Sequence, residues 1–338
     1  MNVIKTLKQC VGIDVSMKKI DCCLSFYTPE LQIKVVSTVR FENNLKGFTK
    51  LKDWISKKQV PGLPVYVNME ATGVYHEEAG YFIYSLGYKL SIIQPSKGKQ
   101  YAKSLNEKNK TDKSDAAMLS RMGLERELGL WSCPNENLRI LKRLSRERSG
   151  LIKDKNALTN KLHALEHSHQ AFADCIERLK KRIKLILEQI SEVEYQMESI
   201  VKGDSALCEK IRHVTTIPGV SYITAVSVVA ETDGFSNIDN RKQLVSYAGL
   251  DVVLRESGTL SWRSHISKRG NSNIRSALYM SAVCSIIHNK DLNVYFNRLK
   301  NKGKPGKTGI IALSRKILIL IFTLYRYNAD FKLNHNIE

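Results

Sequence analysis

The chain has 338 residues, 43% of them hydrophobic and 25% charged, which is enough apolar material for about two domains with ordinary cores and excludes a disordered chain. Lysine and arginine number 53 against 33 aspartate and glutamate, leaving +20 at pH 7, so the leading partner is a polyanion, nucleic acid above all. The start MNVIKTLKQC lacks a long apolar core before a small-residue cleavage site, and the seven cysteines form neither a paired ladder nor a CxxC knuckle; a cytoplasmic protein with reduced thiols is expected, nucleoid-associated when active.

The first hundred residues alternate strand and helix signals. VGIDVS and KIDCCLSFY are separated only by Met17 to Lys19, which predicts a hairpin; LQIKVVSTVRF follows, then a helix over Leu45 to Lys57, the strand PVYVNME, a helix over His76 to Leu86, and YKLSIIQP. Antiparallel strands followed by strands with helical crossovers predict a ribonuclease-H-like α/β sheet. Two acids end two of these strands. Asp14 follows the apolar Val11-Gly12-Ile13, and Glu70 closes PVYVNME; a carboxylate there is costly unless a metal or partner compensates it. Asp112 and Asp115, three apart in KTDKSDAAMLSRM, share one face of a predicted helix. Hard oxygen ligands of this kind suit Mg²⁺ or Mn²⁺ and phosphodiester chemistry. Each acid alone also suits a structural role, Asp112 as helix N-cap and Asp115 as dipole partner.

From Leu138 the pattern becomes helical. Ile176, Leu179, Ile183, Ile186, Ile190, Val193, Met197 and Ile200 alternate in threes and fours and form one seam, which needs a partner helix. Leu138 to Leu165 folds back against it, a second chain supplies it, or both, and a homo-oligomer, dimer or tetramer, is expected. Beyond Gly203 the chain is helical and basic. Ile217-Pro218-Gly219-Val220 is either a helix-hairpin-helix turn facing a phosphate or a plain connection. Ile310 to Tyr325 is interrupted by Arg315 and Lys316, and the apolar run after them is shorter than the roughly 20 residues of a membrane span, so a buried helix and no membrane are expected. Three regions result: 1–128, an α/β domain; 129–205, coiled-coil helices; and 206–338, a mainly α-helical domain.

Taken together, VGIDVS, MEATGVY and NKTDKSDA resemble the Asp-Glu-Asp-Asp motif of the insertion-sequence transposases of family 110, which include the Piv-like DNA invertases. IPGV, FSNIDNRKQLVSYAGL, RESGT and ISKRGNSNIRSALYMSA resemble the second characteristic region of the same family, so the matches touch nearly the whole chain. Gln94-Pro95 departs from the asparagine that often precedes the proline, although the amide is kept. The resemblance implies a RuvC-like N-terminal domain whose Asp14, Glu70, Asp112 and Asp115 bind Mg²⁺ or Mn²⁺, and a C-terminal transposase domain supplying a serine nucleophile, by motif match Ser257. It implies covalent phosphoserine chemistry on donor and target DNA, and a structured guide RNA pairing with both. Read without the resemblance, Ser257 stands beside Ser261, Ser264, Ser267 and Ser272 as one candidate among several. Lys97, Lys110 and Lys113 around the acidic pair, and Arg255, Arg263, Lys268, Arg269 and Arg275 around Ser257, suit phosphate contact or a solvated basic face. A RuvC-like endonuclease using the same acids with water as nucleophile is the alternative activity.

Overall fold

The computed structural model describes residues 6–105, 111–169, 172–253 and 265–332, together with the backbone of 256–257 and 260–261. It falls into two compact units, Met1–Cys133 and Pro134–Glu338.

In the first unit the chain runs β1 (Lys8–Val15), β2 (Lys19–Tyr27), β3 (Ile33–Glu42), α1 (Leu45–Lys58), β4 (Val65–Glu70), α2 (Glu77–Ser85), β5 (Lys89–Ile93), α3 (Pro95–Ser104) and α4 (Asp112–Glu125). The sheet order is β3-β2-β1-β4-β5. β1 to β3 form an antiparallel meander, and β4 and β5 join β1 in parallel through helical crossovers. This is the ribonuclease-H-like, RuvC-like order that the connection lengths predict. The turn between β1 and β2 is closed by the Ser16 amide donating to the Lys19 carbonyl at 2.9 Å.

Side chains alternate across the central strands. Val11, Ile13, Val15, Ile20, Cys22, Leu24, Val67 and Met69 share one buried core with Phe48, Leu51 and Ile55 of α1 and Ala79 and Ile83 of α2. Cys10, Gly12 and Asp14 of β1 take the opposite face with Asn68 and Glu70 of β4, under α4. There the Ser120 hydroxyl donates to the Cys10 carbonyl at 2.8 Å, and the Asn68 amide to the Leu119 carbonyl at 2.8 Å.

The second unit comprises α5 (Glu136–Glu166), α6 (Ala173–Gly203), α7 (Ser205–Thr215), α8 (Tyr222–Glu231), α9 (Arg241–Tyr247), β6 (Val252–Val253), β7 (Glu256–Ser257), β8 (Leu260–Ser261), β9 (His265–Ile266), α10 (Ser272–His288), α11 (Lys290–Asn301) and α12 (Gly306–Tyr327). α5 and α6 make an intramolecular hairpin, with Arg148 paired to Glu194 at 2.6 Å and Lys180 to Glu166 at 3.1 Å. Of the predicted seam, Leu179, Ile190, Val193 and Met197 are buried. At the base of the hairpin, Leu138, Leu141, Leu144, Val193 and Met197 enter the same core as Val226 and Val229 of α8, Leu278 of α10 and Ile317 and Ile321 of α12. α12 is long and apolar enough to cross a membrane by length and composition. Its Leu313, Ile317, Leu318 and Ile321 are fully buried in this core, as the buried-helix reading predicts.

The Ile217-Pro218-Gly219-Val220 turn joins α7 to α8. The Ile217 and Val220 amides are spent on the Val214 and Ile217 carbonyls. Gly219, at φ +93°, lies against Ser285 of α10, whose hydroxyl donates to the Pro218 carbonyl at 3.0 Å.

Candidate active site

The four sequence-predicted acids reach one face of the first sheet from three chain segments. β1 carries Asp14 to its C-terminal end, half-buried. The parallel register that sets Ile13 against Met69 brings Glu70 alongside Asp14. Gly98 of α3 gives Glu70 room, since a Cβ at that position would stand 2.6 Å from the Glu70 Oε2. α4 begins at a capping box in which Thr111 and Ser114 satisfy each other's backbone amides. The N-cap is therefore Thr111 and not Asp112. Asp112 and Asp115 occupy the first turn, where the helix dipole favours negative charge.

Two residues that the sequence reading passes over complete the cluster. Asp21 lies directly opposite Asp14 across β1 and β2, and Arg40 lies opposite Asp21 across β2 and β3. Asp21 is 5% exposed, and the Arg40 Nε donates to both its oxygens at 3.0 Å. The Arg40 Nη2 donates to Asp112 Oδ2 at 2.9 Å. Asp21 is an acid inside a buried strand, the same signal that singles out Asp14, so the sequence did carry it; its pairing with Arg40 depends on strand register and did not show. Nearby, the Asn43 side-chain amide donates to the Ser16 carbonyl at 2.9 Å and the Tyr75 carbonyl at 3.0 Å, tying the β1–β2 turn to the loop that follows Glu70.

Electrostatically these groups form one site. Burial, followed by the negative charges of Asp115, Asp112, Glu70 and Asp21, pushes the Asp14 carboxyl up to about 6. Among the described residues, no three His, Cys, Asp or Glu side chains are gathered tightly enough to close a metal site by themselves. The carboxylates converge on a shared field without meeting at a point, and Asp112 is engaged by Arg40. All the donors are hard carboxylate oxygens, a set that fits Mg²⁺ or Mn²⁺ in chemistry.

In the second unit, β6 pairs with β9 and β7 pairs with β8, both antiparallel, as two separate two-stranded sheets. Ser257 sits in β7 opposite Leu260 of β8. Lys110, Arg255 and Arg263 lie outside the described residues. Lys97 on α3, Lys113 on α4 and Lys268 and Arg269 after β9 are exposed, and Lys268 holds φ at +54°. Arg275 is engaged with backbone: its Nη1 donates to the Ala248 carbonyl at 2.8 Å and the Gly270 carbonyl at 3.1 Å.

The second unit also holds Glu231, a buried acid at the end of α8 that escaped the sequence reading. It is 1% exposed and accepts from Arg146 at 2.7 and 2.9 Å, from Asn271 at 2.7 Å and from Asn273 at 2.9 Å. Burial pushes its carboxyl up, but the bonds from Arg146 and Asn271 outweigh that and hold it below the usual carboxylate value. The Tyr247 hydroxyl donates to the Glu231 carbonyl at 2.9 Å. The Glu231 carboxylate thereby joins α5, α8 and the start of α10, and its backbone carbonyl adds α9. Its sequence signal was an acid closing the apolar run ITAVSVVAE.

Both halves match known families. A family model of the DEDD type from IS110, described as "Transposase", matches residues 11–167. A second, described as "Transposase IS116/IS110/IS902 family", matches residues 211–297, so the two together take in well over half of the chain. The chain belongs to the IS110 transposase family. It is a transposase-class DNA recombinase by this membership. The chain is 28% identical over 330 residues to the pilin gene-inverting protein of Moraxella bovis, covering 96% of this chain and 98% of that one. It is 25% identical over 252 residues to the transposase for insertion sequence element IS1111A of Coxiella burnetii, covering 67% of each. Among solved structures it is similar to T. thermophilus RuvC in complex with a Holliday junction substrate, at 11% identity and a TM-score of 0.26, over 33% of this chain and 90% of that one. The strand order, and not that score, carries the fold assignment.

Proposed function

We propose that this IS110-family transposase cleaves and rejoins DNA through Ser257, assisted by a divalent cation held by Asp14, Glu70, Asp112 and Asp115. The arrangement that supports the reading is the shared face of the sheet, where the β1–β4 register sets Glu70 alongside Asp14, and Asp112 and Asp115 stand on the first turn of α4, the helix packed on that face at Gly12. When bound, Mg²⁺ or Mn²⁺ would neutralise charge on the phosphate and lower the proton affinity of an attacking hydroxyl. Asp14 and Glu70 supply ligands from the rigid ends of paired strands; Asp112 and Asp115 supply them from a capped helix turn. The Ser257 Oγ forms the bond to phosphorus, the ester bond to the departing strand breaks, and the serine proton ends on the oxygen that leaves. Reversal from the phosphoserine joins a new strand without ATP, since the energy of the broken ester is kept.

Donor and target DNA are the substrates of this reading, and a structured guide RNA that pairs with both is its further partner. A homo-oligomer, dimer or tetramer, supplies enough sites to cut several strands. Lys97, Lys110, Lys113, Arg255, Arg263, Lys268 and Arg269 provide phosphate contacts, and the +20 net charge supports a polyanionic partner of either kind. The division into a DEDD domain over 1–128, coiled-coil helices over 129–205 and a serine-bearing domain over 206–338 is part of the same proposal.

The test is a cognate DNA substrate and a search for a covalent protein–DNA adduct. Wild type is expected to form one, Ser257→Ala to form none and to lose strand cleavage, and Asp14→Asn to lose both. Strand cleavage that persists in Ser257→Ala, with no adduct in either protein, overturns the serine and leaves water as the nucleophile.

A further inference from the structure

We propose that Arg40 is the positioning residue of the acidic centre, fixing the Asp112 carboxylate by bridging it to the buried Asp21. The inference rests on the metal reading above and concerns what sets one of its ligands in place. Asp112 is exposed, its side chain 68% accessible, on the first turn of α4. An aspartate so placed has several open rotamers, and nothing in its own helix selects one. Arg40 does select one. Its Nε sits at 3.0 Å from each oxygen of Asp21, and its Nη2 points across to Asp112 Oδ2 at 2.9 Å.

Asp21 is suited to be the anchor. It is 5% exposed, its place on β2 is fixed by ladders to β1 on one side and β3 on the other, and it lies directly opposite Asp14. The guanidinium is suited to be the bridge, because its planar fork presents donors in two fixed directions at once, whereas a lysine ammonium is a single point on a flexible stem. The bridge runs from the sheet to α4, so Asp112 is referred to the same rigid body that carries Asp14 and Glu70. Arg40 also sets one positive charge among five carboxylates, which limits their repulsion before a cation arrives. Geometry and charge predict opposite effects of losing Arg40: a substitution that keeps the charge and removes the fork isolates the first.

The experiment is a Mn²⁺ titration of the full-length protein followed by electron paramagnetic resonance, on wild type, Arg40→Lys, Asp21→Asn, Asp112→Asn and the Arg40→Lys/Asp112→Asn double variant. Partners that orient metal ligands typically contribute about 10–100-fold to metal affinity. Arg40→Lys is expected to weaken Mn²⁺ binding by about tenfold or more, and the double variant to bind no more weakly than Asp112→Asn alone, because Arg40 acts through Asp112. Asp21→Asn adds no bulk to the sheet but removes a carboxylate charge as well as the anchor, so it is read against an Asp21→Asn/Asp112→Asn double variant. A loss that disappears on the Asp112→Asn background belongs to the bridge, and one that persists there overturns it, which keeps the proposal testable if Arg40→Lys fails to fold. Wild-type affinity in Arg40→Lys, or losses that add in either double variant, overturns the positioning role and leaves the metal reading standing. Absence of Mn²⁺ binding by wild type overturns both.

Discussion

Gly12 of β1 and Ala116 of α4 are in backbone contact: a Cβ at Gly12 would overlap the Ala116 carbonyl oxygen and the Ser120 amide nitrogen. Gly12 is two residues before Asp14 on the same face of β1, and Ala116 directly follows Asp115. The closeness of helix and strand at this point therefore sets how near the helical acids come to Asp14. Gly12→Ala is expected to force α4 off the sheet at a cost of about 1–3 kcal/mol or more, the usual range for overpacking a core. Urea denaturation measures the loss. Cleavage activity should fall further than stability alone explains; an alanine variant with wild-type stability and activity would show that α4 is free to shift.

The Asp14 carboxyl makes a second prediction, about pH. Its folded value of about 6 lies above the ordinary 3.8, so the folded state holds the proton more tightly than the unfolded chain does. Stability attributable to Asp14 is therefore fully present below about pH 4, falls as pH rises to about 6, and is level above that. In chelator-containing buffer, wild type should lose stability relative to Asp14→Asn across this window. Added Mg²⁺ should reverse the trend for wild type alone, because cation binding displaces the same proton. A stability difference independent of pH would mean that neither burial nor the field of the other acids acts on Asp14.

Glu231 yields a third. A buried carboxylate with four charged or amide donors is costly to strip of partners or to remove from under them. Glu231→Ala leaves Arg146, Asn271 and Asn273 without their shared acceptor and is expected to destabilise the protein by about 3–5 kcal/mol, the range for breaking a buried pair. Since Asn271 also caps α10 through the Asn273 and Ile274 amides, the loss should be accompanied by faster hydrogen exchange at the start of that helix. A denaturation midpoint unchanged from wild type would show that the network adds nothing to stability.

How much of this was legible in the chain depends on the range of the cause. Strands and helices of the first unit were readable because alternation and capping are local: PVYVNME became β4 and the segment after Thr111 became α4, with Thr111 and not Asp112 taking the cap. Asp14 and Glu70 were readable as site candidates because each is an acid ending an apolar strand. Their convergence with Asp112 and Asp115 was expected from two strand-ending acids and a three-residue spacing on one helix face, and the family motif agreed; the particular contact of α4 with β1 at Gly12 was not legible. Arg40 was invisible for a related reason. Among exposed-looking residues of VSTVRFE it differs from its neighbours only through the β2–β3 register that sets it opposite Asp21. In the second unit the seam of α6 was plain, but whether its partner lay in the same chain was settled by the fold of α5 and not by periodicity.

That same limit separates two kinds of basic residue around Ser257, which composition treats alike. Lys268 and Arg269 are exposed, whereas Arg275 is held by the Ala248 and Gly270 carbonyls. If the first two meet phosphate, each releases counterions on binding, and Lys268→Ala or Arg269→Ala should reduce the slope of log affinity against log salt by about 1 for duplex DNA. Arg275→Ala should leave that slope unchanged and instead lower stability by about 1.5–3 kcal/mol, because a charged donor to two backbone carbonyls is lost. Fluorescence anisotropy at several salt concentrations, with a denaturation curve for each variant, separates the two effects. A flattened salt slope in Arg275→Ala with no loss of stability would reverse the assignment, making Arg275 a phosphate contact and the two carbonyl bonds incidental.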